Sequence, residues 1–377
     1  MTGATPSSIP PKLPHHREDA VFNRLRLLRS RRVGVATYWR LMREHGTAER
    51  ALDALPQIAK DAGVSNYQIC PAGVVNAEMR AGRAAGAFLI DHEHPDYPEA
   101  IRPLGDAPPL FWAIGDRALL GRRAIALVGA RNASSLGTRM AKRLSAELGE
   151  AGFAVVSGLA RGIDAAAHHA AISTGTIAVQ AGGVDVLYPA ENAKLAQDIA
   201  ATGLRVSEAA MGLQPQARHF PARNRIISGL SEAVIVIEAA AKSGSLITAR
   251  NALDQSRDVL AVPGHPLDAR AAGCNMLIRD GAVLVRNAED VIEAIGSADT
   301  GQAQLKFPDH PTKPVDLRAV AQLHDQIMNR LSPSPIAEDQ LIRDLESDAK
   351  TLAPAILDLE LDGKIERQAG GMLARLV

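Results

Sequence analysis

Between Arg123 and about Ile295 the chain repeats one pattern: a short unbroken apolar run, a helical or loop segment, then another run. The runs are "AIALVGA", "FAVVSG", "TIAVQAG", "LRVSEA", "AVIVIEA", "DVLAVPG" and "AVLV". Strands that are apolar throughout are buried on both faces, and strands alternating with helices pair in parallel. The pattern predicts a doubly wound α/β domain around a mostly parallel, extended Rossmann-like sheet, here assigned to residues 87–296. The helix after the first run, Leu136 to Glu150, sets Met140, Leu144 and Leu148 at four-residue spacing, one buried stripe.

The flanks read differently. Residues 17–80 have helical apolar repeats (Leu25, Leu28; Ala51, Leu52, Leu55) around a "VGVA" turn at Val33–Ala36, a small helical module. A Pro-rich connector follows, "DHEHPDYPEAIRPLGDAPPLFWAIGD", whose prolines forbid a long helix. Residues 297–314 are polar and Pro-containing, a linker. From 315 to 377 come helical stretches near 316–331, 336–346 and 350–363, then two short strands around Gly370–Gly371, the order of a winged helix. Residues 1–16 read as a disordered tail without an apolar signal core.

Charge narrows the function classes. With 42 basic and 42 acidic side chains the net charge is zero, so the chain as a whole lacks the basic footprint of nucleic-acid binders. Any polyanion must meet a local patch, such as Arg17, Arg24, Arg26, Arg29, Arg31, Arg32, Arg40 and Arg43. No run reaches the roughly 18–20 apolar residues that span a bilayer. Cys70 and Cys274 have no metal-ligand spacing. A cytoplasmic protein without a membrane span or a metal site is expected.

Open α/β sheets bind ligands outside the carboxyl ends of their strands. After the first run, "GARNASSLG" offers Gly129, Arg131 and a serine-led helix N-terminus that favours phosphate; a tight turn with a capping serine is the alternative. After the second, "SGLARGIDAAAH" offers Gly158, Arg161 and Gly162, with Asp164 placed to cap a helix and His168 and His169 to pack within it. After "AVIVIEA", the segment "EAAAKSGSLITARNAL" offers Lys242, Ser243, Gly244, Ser245 and Thr248. Three strand ends with glycine, serine and a cation point to a phosphate-bearing ligand. A dinucleotide site would need G-x-G-x-x-G with an acid ending the second strand, and a Walker loop would need G-x-x-x-x-G-K-[ST]; neither is present. No nucleophile–base signature or paired carboxylates mark catalysis, and no cofactor is implied.

The stretch "FPARNRIISGLS" reads as a loop before the "AVIVIEA" strand. Phe220 fits a stacking platform for an unpaired base, Arg223 and Arg225 phosphate partners, and Asn224 a hydrogen-bonding group. Equally, Phe220 fits a core position and Arg225 a donor to buried carbonyls.

These strings, with "YPEAIRPLGDAPPLFWAIG", "VLAVPG" and "GCNMLIRDGA", run from about Tyr97 to Val285 in an order that resembles the DNA-processing protein A (DprA, or Smf) family. The resemblance implies a homodimeric single-stranded DNA-binding protein, without established catalytic role, that protects incoming DNA and loads a RecA-type recombinase in natural transformation. It places the DNA site at Arg131, the "SGLARG" loop, Phe220 with its neighbours, and "KSGSLIT". Relatives often have a lysine shortly before the Phe-Pro pair; here Arg218 and His219 stand there. The runner-up is a phosphoribohydrolase of the lysine-decarboxylase-like type, though its P-G-G-x-G-T loop is matched by neither "AGGVD" nor "SGSLIT". The third winged-helix segment, "DAKTLAPAILDLELDGK", sets Lys350 and Lys364 against Asp348, Asp358, Glu360 and Asp362. Its Leu352, Ile356, Leu359 and Leu361 are expected to pack internally, and duplex DNA is not expected to be its partner.

Overall fold

The structure, a computed structural model, describes residues 15–296, 317–368 and 371–376. The expected linker and all but the last two residues of the expected tail lie outside these. The chain divides into two compact units after Gly301.

The first unit opens with four helices: α1 (His15–Arg29), α2 (Val35–His45), α3 (Ala48–Asp61) and α4 (Ala72–Ala84). Then come β1 (Phe88–Asp91), β2 (Leu110–Gly115), β3 (Ala124–Val128), α5 (Ser135–Glu150), β4 (Ala154–Ser157), α6 (Ile163–Ala171) and β5 (Thr176–Val179). The series continues with α7 (Ala193–Thr202), β6 (Leu204–Ser207), α8 (His219–Gly229), β7 (Ala233–Val236), α9 (Ser245–Asp254) and β8 (Asp258–Ala261). It closes with α10 (Ala272–Arg279), β9 (Val283–Leu284) and α11 (Ala288–Ile295). One nine-stranded sheet has the order β1-β2-β6-β5-β4-β3-β7-β8-β9. All neighbours from β6 to β9 are parallel. β2 joins β6 and β1 antiparallel, so the Pro-rich connector, which begins at the last residue of β1, contributes one strand that its prolines had masked.

Burial explains the apolar runs. Along β3, Ala126 and Val128 join a core that includes Ile226 and Ile227 of α8 and Ala249 of α9. Ile125 and Leu127 join the opposite core with Leu144 and Leu148 of α5 and Ile163 of α6. Chain order runs outward from β3 through β4, β5 and β6, then restarts on the other side at β7. The crevice between β3 and β7 is therefore the topological switch point, where open sheets take their ligands.

The helical module packs onto β2 through Leu25, Val75, Leu110 and Trp112. Glu78 accepts from Arg29 Nη2 at 2.8 Å and from Trp112 Nε1 at 2.9 Å. Arg24 pairs with Asp91 and Glu93, and Arg26 Nε donates to the Cys70 carbonyl at 2.7 Å. Three of the clustered arginines thus hold the module together rather than face a ligand.

The second unit comprises α12 (Leu317–Arg330), β10 (Ile336–Ala337), α13 (Glu338–Asp344), α14 (Ala349–Leu361), β11 (Ile365–Gln368) and β12 (Met372–Arg375). Its strands form a sheet ordered β10-β12-β11, the wing of a winged helix. Leu352, Ile356 and Leu359 of α14 are buried with Ile327, Leu341 and Leu373. Leu361 departs from expectation: it is 77% exposed, because it lies off the stripe that faces α12. Among the described residues no helix is long and apolar enough to cross a membrane.

Candidate nucleic-acid interface

Two basins lie side by side at the carboxyl edge, of about 300 and 650 Å³. Arg131, Ala160, Phe220 and Arg223 line both and form the wall between them. The guanidinium carbon of Arg131 stands 5.0 Å from the centre of the Phe220 ring. The Phe220 ring also meets Tyr188, centroids 5.9 Å apart. A cation over an aromatic face, both reachable from solvent, is the pairing that grips a phosphate beside a stacked base.

Phe220 does not sit in a loop. The "FPARNRIISG" stretch is α8, with Pro221 in the first turn, where no N–H is required of it. α8 buries Ile226 and Ile227 against the sheet and turns Arg223 inward beneath the basins. Arg223 Nη1 donates to the Gly158 carbonyl at 2.5 Å and to the Val179 carbonyl, at the ends of β4 and β5. The donor to buried carbonyls is therefore Arg223, not Arg225. Burial holds the Arg223 guanidinium down at about 10, opposed by the nearby Asp164 and assisted by Arg131; it stays protonated at neutral pH. Burial pushes the Asp164 carboxyl up, against the pull of Arg223 and of the Ala160 and Gly158 amides that it accepts. Buried Arg223 and Asp164 thus both sit under the loop after β4, Arg223 donating to its carbonyl and Asp164 accepting from its amides.

That loop is held tightly. Asn192 Nδ2 donates to the carbonyls of Leu159 and Ala160 at 3.0 and 3.1 Å. Leu159 has φ 57, a left-handed conformation unusual for a branched apolar residue. Gly162 has φ 76, and a Cβ there would meet the Ala130 carbonyl oxygen at 2.2 Å. At Gly158 a Cβ would strike the Arg223 guanidinium at 2.6 Å. Arg161 is left exposed at the rim, 3.5 Å from Glu191.

The N-terminus of α5 is a correction. Its serine cap is present, Ser134 Oγ accepting from Gly137 N–H at 2.9 Å. The anion it attracts is internal: Glu238, just beyond β7, accepts from Ser134 N–H at 2.9 Å and from the Ser134 hydroxyl. A phosphate would have to displace this carboxylate, so the helix end is closed to it.

The larger basin is floored by the start of α9. Lys242 and Gly244 are exposed, Ser243 and Ser245 half-buried, and Thr248 is buried beneath them. Ser245 Oγ donates to the Gly129 carbonyl at 2.9 Å, which ties the loop after β3 to α9. Asn224 Nδ2 reaches the Gly244 carbonyl at 3.4 Å. Arg225 is engaged elsewhere, Nη2 to Glu208 at 2.5 Å, and Arg218 is exposed beside His219; neither lines a basin.

Sequence reasoning missed Tyr188, Gln180 and Arg270. The first two line the smaller basin and Arg270 the larger. Tyr188 and Gln180 follow "TIAV", so the strand-end rule that found the other loops reaches them once applied to β5. Among the described residues no group of His, Cys, Asp or Glu could hold a metal ion.

The chain is thus a doubly wound α/β protein whose sheet bears, at its switch point, a groove lined by cationic and aromatic side chains. The chain belongs to the DNA recombination-mediator protein A family, whose model matches residues 88–296. Residues 18–81 match the DprA-like N-terminal HHH domain, and 311–371 the DprA winged helix domain. The chain is 43% identical over 220 residues to the DNA processing protein DprA of Bacillus subtilis (strain 168), covering 58% of this chain and 74% of that one. It is similar to the X-ray structure of DNA processing protein A from Streptococcus pneumoniae, with TM-score 0.56 and 33% identity over 70% of this chain and 99% of that one. A structure of DNA processing protein A from Helicobacter pylori, presented for its single-stranded DNA binding mode, matches at TM-score 0.51 and 30% identity. That match covers 55% of this chain and 94% of the relative.

Proposed function

We propose that this chain binds single-stranded DNA along the two basins and acts as a recombination mediator in transformation, protecting the strand and loading a RecA-type recombinase onto it. The observation that carries the reading is the Arg131–Phe220 wall between the basins, a phosphate-gripping cation stacked on a base-sized platform. Arg161, Lys242 and Arg270 supply further charge along the groove, while Gly158 and Gly162 let the loop after β4 pack against Arg223 and the Ala130 carbonyl beneath it. Gly129, Ser243, Gly244, Ser245, Asn224 and Thr248 shape its floor. Arg223 contributes its charge from below, while Arg218 and Arg225 flank the site. The reading includes a homodimer in the cytoplasm.

Fluorescence anisotropy with single- and double-stranded oligonucleotides tests the binding. Single strands should bind more tightly at every salt concentration, and equal affinity for both would end the proposal. Adding the chain to a strand coated with single-strand-binding protein should let a RecA-type recombinase assemble there. Failure of that step alone would leave binding without mediation.

A further inference from the structure

Helices cover the two faces of the sheet unevenly. On one face of β7 and β8, the helices α8, α9 and α10 share a core with Val234, Val236 and Ala261. On the opposite face, beyond α5, the first unit has only α11. That helix has eight residues, about 12 Å in length. Its first residue, Ala288, donates its N–H to Glu147 at 3.3 Å, so α11 starts beside the last turn of α5. The first two turns of α5 and the ends of β7 and β8 are therefore left uncovered. They line a cleft of about 500 Å³, with Leu136, Met140, Ile237, Val262 and Pro263 as its apolar wall. Leu136 is 68% exposed, and Leu267, in the loop after β8, is 90% exposed. Large apolar side chains grouped round a groove mark an interaction surface. No residue of this cleft lines either basin.

The charges at its rim differ in what they are free to do. Glu238 is spent on Ser134, and Asp268 on Arg270. Arg143 pairs with Glu147. Arg139 is exposed and has no hydrogen-bond or ion-pair partner among the described residues. The uncommitted charge is positive.

We propose that this cleft docks an acidic amphipathic helix of a partner protein. The helix completes the layer where α11 is missing, its apolar stripe against Met140, Ile237 and Val262 and a carboxylate against Arg139. A small ligand has less to hold it, since such pockets rely on convergent polar groups and Glu238 is already engaged. A second copy of this chain fits worse, because a two-fold contact would set Arg139 against Arg139. The cleft needs neither basin, so the inference goes beyond strand binding.

The test uses a fluorescent synthetic helix of about 16 residues, with leucines three and four apart and glutamates flanking them. A second peptide has glutamine, and a third lysine, at every glutamate position. In anisotropy titrations with the full chain, the glutamate helix should bind. The glutamine helix should bind about threefold more weakly, the scale of one exposed ion pair. Arg139→Glu should reverse the order and favour the lysine helix. Leu136→Ser should weaken the glutamate helix about tenfold and leave oligothymidylate affinity unchanged; Leu136→Ala replaces it if the serine variant melts early. Saturating oligothymidylate should not displace the helix. Displacement would put the helix in the DNA groove and overturn the proposal. So would no binding, equal binding of the three helices, or a Leu136→Ser variant that binds as the unaltered protein does. If Leu136→Ser alters the sedimentation of the peptide-free protein, the cleft belongs to a second copy and the proposal is overturned as well.

Discussion

Arg131 and Phe220 touch each other, but their removal should have different signatures. Arg131→Ala is expected to weaken binding by a similar factor for every single-stranded sequence, because a phosphate contact carries no base information. Phe220→Ala is expected to cost about 1–3 kcal/mol of binding, the worth of one stacked base. Phe220 is half-buried, so its melting temperature should barely move; a core phenylalanine would lose about 3–5 kcal/mol of stability instead. His168 makes a separate residue-scale case. Its Nδ1 meets Thr176 Oγ1 at 2.7 Å, and that hydroxyl donates to the Val155 carbonyl, so the ring is the neutral Nδ1–H tautomer. Burial first, then the charge of Arg223, hold its pKa down at about 3, well below the ordinary histidine value of 6.5. Between those values the unfolded chain binds a proton that the folded one refuses. Stability from this group is therefore complete above about pH 6.5 and falls as pH drops, by up to about 1.4 kcal/mol per pH unit. His168→Asn keeps a donor for Thr176 and should flatten that part of the curve in urea titrations from pH 7 to 4. An unchanged slope in the variant would move the acid sensitivity to another group.

Among the elements, α14 carries the clearest expectation. Glu360 is paired with Arg367, and Asp362 with Lys364, yet Asp358 remains on a helix that would have to approach a polyanion. The fragment 315–377 has its own core and should not bind duplex DNA at low salt; tight, sequence-dependent binding would refute this. Elements were legible where one property dominated the local sequence. The apolar runs announced β3 to β9, and the glycine–serine–cation clusters announced the strand ends. β2 was hidden because prolines on its N-terminal side drew attention away from "LFWAIG". α8 was hidden because a Phe-Pro pair suggests a loop, although proline is at home in a first turn. The site's inner pairings were illegible for a different reason. Arg223 meets carbonyls 65 and 44 residues away, and Glu238 closes a helix 104 residues upstream. No local pattern encodes such partners; only the sheet order brings them together.

At the scale of the molecule, a chain of zero formal charge carries a cationic groove because its charges are sorted rather than unequal. The groove exposes Arg131, Arg161, Lys242 and Arg270, the second and last already close to Glu191 and Asp268. Four cations on a single strand give a log-affinity against log-salt slope no steeper than about −3, at about −0.7 for each phosphate neutralised. A slope near twice that would bring in surfaces beyond the groove, such as the exposed Arg31 and Arg32. Arg223 stands outside this count. Sealed under the basins, it has no cloud of mobile ions to give up when a strand arrives, and added electrolyte cannot reach it. Its field is offset by the neighbouring Asp164, and what is left is screened less than that of a surface cation. The exposed cations set how fast affinity falls with salt; the hidden one changes that slope little.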